Sequence, residues 1–234
     1  GINAIELMPP GEFENNESWG YNPSFHMALD KYYGTPEKFK EFVESCHSKG
    51  IAVFADMVFN HAFGQSPLLA MYWDSANNRP AADNPWFNPT CPHPAYCWGY
   101  DFNHESIATK ELVARVLKHW LTKYKLDGYR WDLSKGFTQT NNPNNVQAWG
   151  AYDASRISTW KRIYDSTQSV TPGSYCILEH FADNTEEKEL ANYGMMFWGN
   201  NNFRFSEAAM GYLNNSDFSD ISALKKGWDK QHLI

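Results

Sequence analysis

The chain has 234 residues, with 27 acidic and 20 basic side chains and a formal net charge of −7. This length can bury a sizeable core in one α/β domain, and the negative charge argues against nucleic acid or an anionic membrane surface as a partner. The sequence has no long apolar run of the kind that spans a bilayer, so it predicts no membrane span.

The first half of the chain predicts alternating strands and helices. Residues 2–8 form an apolar strand that ends in two prolines. Thr35 and Pro36 have the N-cap and first-turn pattern of a helix that ends near Gly50. Residues 51–58 are a nearly continuous apolar run, typical of a parallel strand buried on both faces. Residues 62–105 lack periodicity and predict an irregular insertion subdomain, a kind of segment that is usually functional.

The second half repeats the same alternation. A helix from Thr109 leads into a strand around residues 128–133, and a longer helix is predicted over about residues 145–168. Two further strands are predicted at residues 175–179 and 195–198. Repeated βα units with short connections predict a parallel sheet. We therefore expect a catalytic α/β domain over residues 1–234 of the (β/α)₈ TIM barrel class, incomplete in this chain because such a barrel normally needs about 250 residues or more.

Acidic residues end three of the predicted strands, namely Asp56, Asp132 and Glu179. In a barrel the carboxyl ends of the strands converge on one mouth, so these acids should meet over one pocket. Arg130 precedes Asp132 on the same strand face and is expected to lower the Asp132 pKa and keep that carboxyl ionised. A fixed, ionised carboxylate suits the nucleophile of covalent sugar transfer; the alternative is a structural Arg–Asp pair at the barrel rim.

Two cysteines lie six residues apart in one loop. Cys91 and Cys97 could form a disulfide in an oxidising compartment, or a zinc site with the nearby His93. The disulfide would favour a secreted or periplasmic location. Cys46 and Cys176 lie in helix-like and strand-like contexts and are predicted to be core residues.

Several segments together resemble the α-amylase family of glycoside hydrolases and transglycosylases, which act on α-glucans. Residues 56–61, 128–135 and 177–180 are similar to its first three conserved blocks. Residues 18–23 and 33–36 are similar to members near the branching enzymes and isoamylases. The resemblance implies a retaining hydrolase of α-1,4-glucosidic bonds in starch or glycogen, with no cofactor needed for the chemistry. A glucan branching enzyme is the first alternative, and a non-catalytic glycan-binding barrel is the second.

The resemblance also implies roles for individual residues. Asp132 would be the nucleophile and Glu179 the proton donor, with Arg130 orienting Asp132 and Asp56 organising the hydrogen bonds around Arg130. Tyr21 would stack under the sugar ring and His61 would bond its hydroxyls. Lys135 and His180 would line the leaving-group side, or else lie in a solvated loop. Asn60, and more weakly Asp101, would ligate a structural calcium; a simple loop hydrogen bond is the alternative for Asn60.

The chain departs from the family pattern in two places. Gly136 follows Lys135 where members commonly have Lys-His, and no His-Asp pair of a fourth block is found. We expect that the chain is an internal piece of a longer enzyme, without the first strand or the third catalytic carboxylate. On that expectation, these residues by themselves would have no α-glucanase activity.

Overall fold

The structure of the protein is a computed structural model that describes residues 1–142 and 145–229. Within those residues the strands are β1 (Ala4–Leu7), β2 (Gly11–Phe13), β3 (Pro23–Leu29), β4 (Ala52–Met57), β5 (His61–Ala62), β6 (Trp73–Asp74), β7 (Arg79–Pro80), β8 (Tyr100–Asp101), β9 (Gly128–Trp131), β10 (Tyr175–Leu178) and β11 (Met196–Phe197). The α-helices are α1 (Pro36–His47), α2 (Pro67–Ala70), α3 (Ile107–Lys123), α4 (Val146–Trp149), α5 (Ala154–Val170), α6 (Asn184–Tyr193), α7 (Asn202–Ala209) and α8 (Ala223–Lys226).

Five parallel strands form the central sheet, in the order β1-β4-β9-β10-β11. All four residues of β9 are buried, because β4 and β10 pair with it on either side. The register places Asp56 of β4 directly opposite Arg130 of β9. At Gly128 any Cβ would collide with the backbone of Tyr175, so glycine permits the close approach of β10. The predicted parallel α/β architecture is confirmed.

The helices that cover the sheet have local causes. Thr35 caps α1, since its side chain accepts a hydrogen bond from the Lys38 N–H at 3.3 Å. In α3 the apolar stripe through Val113, Leu117 and Trp120 is fully buried against the sheet. The helix predicted over residues 145–168 is wrong in one respect. It is divided into α4 and α5, and Asp153 caps the second by accepting from the Ser155 and Arg156 N–H groups.

Residues 62–105 contain only short elements. They include α2, the two-residue hairpin β6–β7, and β8, which pairs with β5 at the start of the segment. A disulfide joins Cys91 to Cys97, and both Cys46 and Cys176 are free and buried. The division into an insertion subdomain stays a prediction. Of the two alternatives for Cys91 and Cys97, a disulfide or a zinc site, the structure contains the disulfide.

The elements β2, β3, α6, α7 and α8 lie outside the predicted order. The antiparallel hairpin of β2 and β3 follows β1, and α6 connects β10 to β11. A local signal for α6 is present in the sequence. Asp183 caps its first turn by accepting from the Thr185 N–H, and Glu186 and Glu187 follow as first-turn acids. In the part of the chain that the structure describes, every helix is too short or too polar to cross a membrane.

Candidate active site

Arg130 is the centre of a charge cluster at the carboxyl ends of β4, β9 and β10. Its Nη1 lies 2.9 Å from Asp132 Oδ1, and its Nη2 lies 3.0 Å from Glu179 Oε2. Nη1 also donates to both carboxylate oxygens of Asp56, at 2.8 Å each. One guanidinium therefore binds the three acids that the sequence placed at three strand ends, and it holds Asp132 and Glu179 next to each other.

Asp56 anchors the buried side of this cluster. It is 2% exposed, and besides Arg130 it accepts a hydrogen bond from the Tyr21 hydroxyl at 2.7 Å. Both oxygens of Asp56 are therefore occupied by protein groups. Tyr21 is thereby fixed beside Arg130.

The backbone after the β9 strand helps to hold Glu179. Leu133 adopts a left-handed conformation (φ 45°, ψ 42°), which a branched side chain rarely does without compensation. In this conformation the Leu133 N–H donates to Glu179 Oε2 at 3.0 Å. The hydrogen bond and the ion pair of Glu179 within the described residues both involve Oε2, and Oε1 makes none there.

The charge balance of the cluster corrects one expectation. Burial and the neighbouring Asp56 carboxylate raise the Asp132 pKa from an ordinary 3.8 to about 7, and Arg130 opposes them by less. Arg130 does lower the pKa, as predicted, but a single guanidinium does not outweigh burial plus the charges of Asp56 and Glu179. Arg130 itself stays protonated, since the surrounding carboxylates raise its pKa.

An aromatic cavity of about 550 Å³ opens over the cluster, a size that suits a small-molecule ligand. Its lining consists of Trp19, Tyr21, His61, Phe63, Tyr96, Trp98, Arg130, Asp132, Leu133 and Glu179. The flat apolar faces of these rings beside carboxylates match the two kinds of surface that a sugar presents. Trp198, just after β11, stacks on the Arg130 guanidinium with 4.0 Å between the guanidinium carbon and the ring centroid. Sequence reasoning missed this contact, although Trp198 also lies at a strand end.

His61 lines the cavity but its ring nitrogens are occupied. Nε2 lies 2.9 Å from the Tyr21 carbonyl oxygen, which can only accept, so we assign the proton to Nε2. Nδ1 then accepts from the Asn60 side-chain amide at 3.2 Å. Burial lowers the His61 pKa to about 4, so the ring is neutral at pH 7. His61 therefore positions the Tyr21 backbone, and it has no free nitrogen for the sugar hydroxyls assigned to it.

Neither Lys135 nor His180 lines the aromatic cavity; Lys135 is partly exposed in a loop, which was the alternative, whereas His180 fits neither expectation. Lys135 Nζ donates to the Phe181 carbonyl at 3.2 Å and lies 4.5 Å above the Trp149 ring. His180 is fully buried, with Nδ1 2.9 Å from Ser134 Oγ and Nε2 2.8 Å from Glu186 Oε1. For His180 the physical reason is that the loop after Glu179 turns inward, where Ser134 and Glu186 of α6 bind its ring.

A buried ion pair supports the two loops that carry the acids. Arg156 and Glu186 are fully buried and joined by two hydrogen bonds, of 2.6 Å and 2.8 Å. Arg156 also donates to the Lys135 carbonyl in the loop after Asp132, while Glu186 reaches the loop after Glu179 through His180. This network therefore ties the loop after Asp132 to the loop after Glu179 from below. Sequence reasoning missed it because it joins two helices whose packing has no local signal.

The candidate calcium ligands lie in a second polar cluster. Asn60 Oδ1 and Asp101 Oδ1 are both buried and without a hydrogen-bond partner in the described residues. His93 Nε2 lies 3.4 Å from Asp101 Oδ1, and both of its ring nitrogens are also unpartnered. Gly136 is required here, since a Cβ at that position would collide with Asn60 Oδ1. Unpartnered amide and carboxylate oxygens are donors that a hard cation accepts, so the residues fit a structural calcium. Cys91 is close to His93 and Asp101, but its sulfur is in the disulfide and is not a thiolate ligand.

Comparison with known proteins shows what the chain resembles. The family model for the α-amylase catalytic domain matches residues 1–106, which include Asp56, Asn60 and His61. The chain is similar to the α-amylase family over these residues. The α-amylase crystal structure from H. orenii shares the fold, with a TM-score of 0.68 and 19% identity over 96% of this chain and 48% of that one. The five-stranded sheet is accordingly part of a (β/α)₈ barrel, as predicted.

Curated relatives in the α-amylase family differ in their activities. A malto-oligosyltrehalose trehalohydrolase from Saccharolobus solfataricus is 27% identical over 62% of this chain and 24% of its own length. A 1,4-alpha-glucan branching enzyme GlgB from Nitrosomonas europaea is 30% identical over 64% of this chain and 20% of its own length. The chain thus spans a quarter or less of these two relatives.

Proposed function

We propose that the protein is a retaining glycoside hydrolase that cleaves α-1,4-glucosidic bonds in glucans of the starch and glycogen type. The observation that carries this proposal is the Arg130 guanidinium, which holds Asp132 and Glu179 side by side under an aromatic cavity. In retaining glycosidases the two carboxyls are about 5–5.5 Å apart, close enough for one to attack the sugar while the other serves the leaving group.

The chemistry follows from the surroundings of the two acids. Asp132 attacks the anomeric carbon, and Glu179 gives its proton to the departing glycosidic oxygen, so that a covalent glycosyl-enzyme forms. Glu179 then takes a proton from the incoming acceptor as that intermediate is released. Arg130 orients both acids, and Asp56 with Tyr21 fixes Arg130 from the buried side. Tyr21 presents its ring to the sugar in this scheme.

Branching is the second candidate, and the branching enzymes among the relatives favour it. The steps up to the covalent intermediate are the same, and only the acceptor differs. The complete protein incubated with amylose separates the two functions. New reducing ends indicate hydrolysis, whereas loss of the iodine colour without new reducing ends indicates branching.

Variants of the two acids test the shared chemistry. Glu179→Gln should lower the rate of either reaction by about 10²–10⁴-fold, the range of general acid–base catalysis. Asp132→Asn should abolish the covalent intermediate. Asp83→Asn removes an exposed carboxylate outside the cavity and is the matched control. Wild-type activity in both acid variants would overturn the proposal.

A structural calcium is the last part of the proposal. Asn60 and Asp101 would hold the ion through their unpartnered oxygens. The ion would supply a positive charge that balances the buried Asp101 carboxylate. Burial raises the Asp101 pKa to about 8, which is the expected state of a buried carboxylate without a cation beside it. The ion would link β5 and β8 to the loop at Gly136 and would take no part in bond cleavage.

A further inference from the structure

A disulfide closes a short loop at the wall of the aromatic cavity. It joins Cys91 to Cys97, and the two neighbours of Cys97, namely Tyr96 and Trp98, both line that cavity. The Trp98 side chain is 59% exposed, so more than half of the indole is open to a ligand. Glucan cleavage as proposed uses the ring of Tyr21 and leaves these two rings without a role.

The segment that carries the two rings is packed on either side of the disulfide. The Tyr96 ring stacks on the buried Trp149, with 4.9 Å between the ring centroids and 27° between the ring planes. Directly after Trp98, Gly99 adopts a left-handed conformation (φ 64°), and a Cβ there would collide with the ring of Phe63, which lines the same cavity. The disulfide cross-links the chain between these two contacts, so it restricts the positions that both rings can take.

The chemistry of the two side chains selects a sugar as the ligand. Their rings have flat apolar faces and a polar edge, with an N–H donor in Trp98 and a hydroxyl in Tyr96. A glucose unit likewise has an apolar face of C–H groups and a rim of hydroxyls. Asp132 and Glu179 line the same cavity. Because the two rings lie on a loop and not on the strands that carry these acids, they suit the glucose units next to the cleaved one.

We propose that Tyr96 and Trp98 bind glucose units beside the cleaved one and that the Cys91–Cys97 disulfide positions both rings. The disulfide touches no reacting atom and acts through the rings. A loop that is already held in its bound conformation loses less entropy when the ligand binds, so the cross-link raises the affinity. Because the ligand is the α-glucan of the proposed function, the assignment rests on that function.

Calorimetric titration with maltohexaose tests the rings. It is carried out on a Glu179→Gln parent protein, in which cleavage is slow. Trp98→Ala should raise the dissociation constant at least about tenfold, the equivalent of about 60 Å² of apolar surface left uncovered. Trp98→Phe keeps a flat ring and should recover most of this loss. Phe203→Ala should bind like the parent, because Phe203 is also 59% exposed but does not line the cavity.

A Cys91→Ser/Cys97→Ser variant of the same parent tests the disulfide. Its dissociation constant should rise about fivefold, because two rings must then be ordered on binding. In a Trp98→Ala protein the same pair of substitutions should raise the constant less than about twofold, since only Tyr96 is left to be ordered. Calcium chloride is kept saturating, because Cys91 lies close to the candidate calcium ligand Asp101. If the cysteine variant does not fold, the parent reduced with dithiothreitol replaces it, with the same rise expected.

The outcomes separate the role of the rings from the proposed function. A parent that does not bind maltohexaose, or a Trp98→Ala protein that binds as tightly as the parent, would overturn the assignment of the rings. A loss of affinity that is equal with and without the Trp98 ring would show that the disulfide does not act through it. The expected pattern of binding in a protein that leaves amylose uncleaved when Glu179 is present would overturn the proposed function and leave the role of the rings intact.

Discussion

Replacing Asp132 with asparagine should stabilise the protein, and the gain should grow with pH. Burial and the charge of Asp56 raise the Asp132 pKa from 3.8 to about 7. A difference of this size costs the folded state about 4 kcal/mol once the carboxyl is ionised in both the folded and the unfolded chain. The side chain is only 16% exposed, so solvent screening reduces this value little.

The direction of the pH dependence follows from proton linkage. Below about pH 4 the carboxyl is protonated in both the folded and the unfolded chain, so its ionisation costs the folded state no stability. Between pH 4 and pH 7 the unfolded chain releases the proton while the folded protein keeps it, so stability is progressively lost. Asparagine avoids this loss but weakens the 2.9 Å contact with Arg130. We therefore expect a net gain of about 2–3 kcal/mol above pH 7 and none at pH 4.

Urea unfolding at pH 4.5 and pH 8.5, followed by tryptophan fluorescence, measures this difference. Asp83→Asn is the matched control, since Asp83 is exposed and forms no ion pair in the described residues. It should change stability by less than about 0.5 kcal/mol at both values. A variant of Asp132 that is destabilised equally at pH 4.5 and pH 8.5 would refute the reasoning, because Arg130 would then outweigh burial and the neighbouring charges.

The remaining predictions concern the supporting structure. Glu186→Gln should destabilise the protein by about 3–5 kcal/mol in urea unfolding, because it breaks a fully buried ion pair. Glu189→Gln breaks a half-exposed pair and should cost less than about 1 kcal/mol. A loss that small for Glu186→Gln would contradict the supporting role of the network. Chelation should lower the Tm and calcium should restore it, while Asp101→Asn should remove both effects; an unchanged wild-type Tm would argue against the ion. Cys91→Ser should cost about 2 kcal/mol, as should reduction of the wild type, because a short loop is released; no loss in either would contradict this.

The sheet and the three acids could be predicted because their signals are local. A strand buried on both faces is a continuous apolar run, and a polar residue at its end is visible without any tertiary information, as at Asp56 and Asp132. The helix break before Asp153 and the start of α6 at Asp183 also have local capping signals in the sequence.

The positions of Lys135 and His180 could not be predicted in the same way. Both follow a strand end that carries an acid, but where a loop residue points depends on how the loop packs against distant helices. His180 turns inward because Glu186 of α6 lies 2.8 Å from its ring, and Arg156 of α5 holds Glu186 in place. The pKa of Asp132 could not be predicted for a similar reason, since it combines burial with charges from three different strands.

Burial and the charges of Asp56 and Glu179 raise the Asp132 pKa to about 7, so the proton that Asp132 binds near neutral pH depends on its neighbours as well as on itself. A retaining glycosidase starts from such a state, with one acid ionised and the other protonated. The charge of Glu179 is among the causes that raise the Asp132 pKa. Glu179→Gln should therefore move the Asp132 pKa downward, measurable by carboxyl NMR or by the pH at which stability begins to fall. An unchanged Asp132 pKa in that variant would show that the two acids do not share the proton.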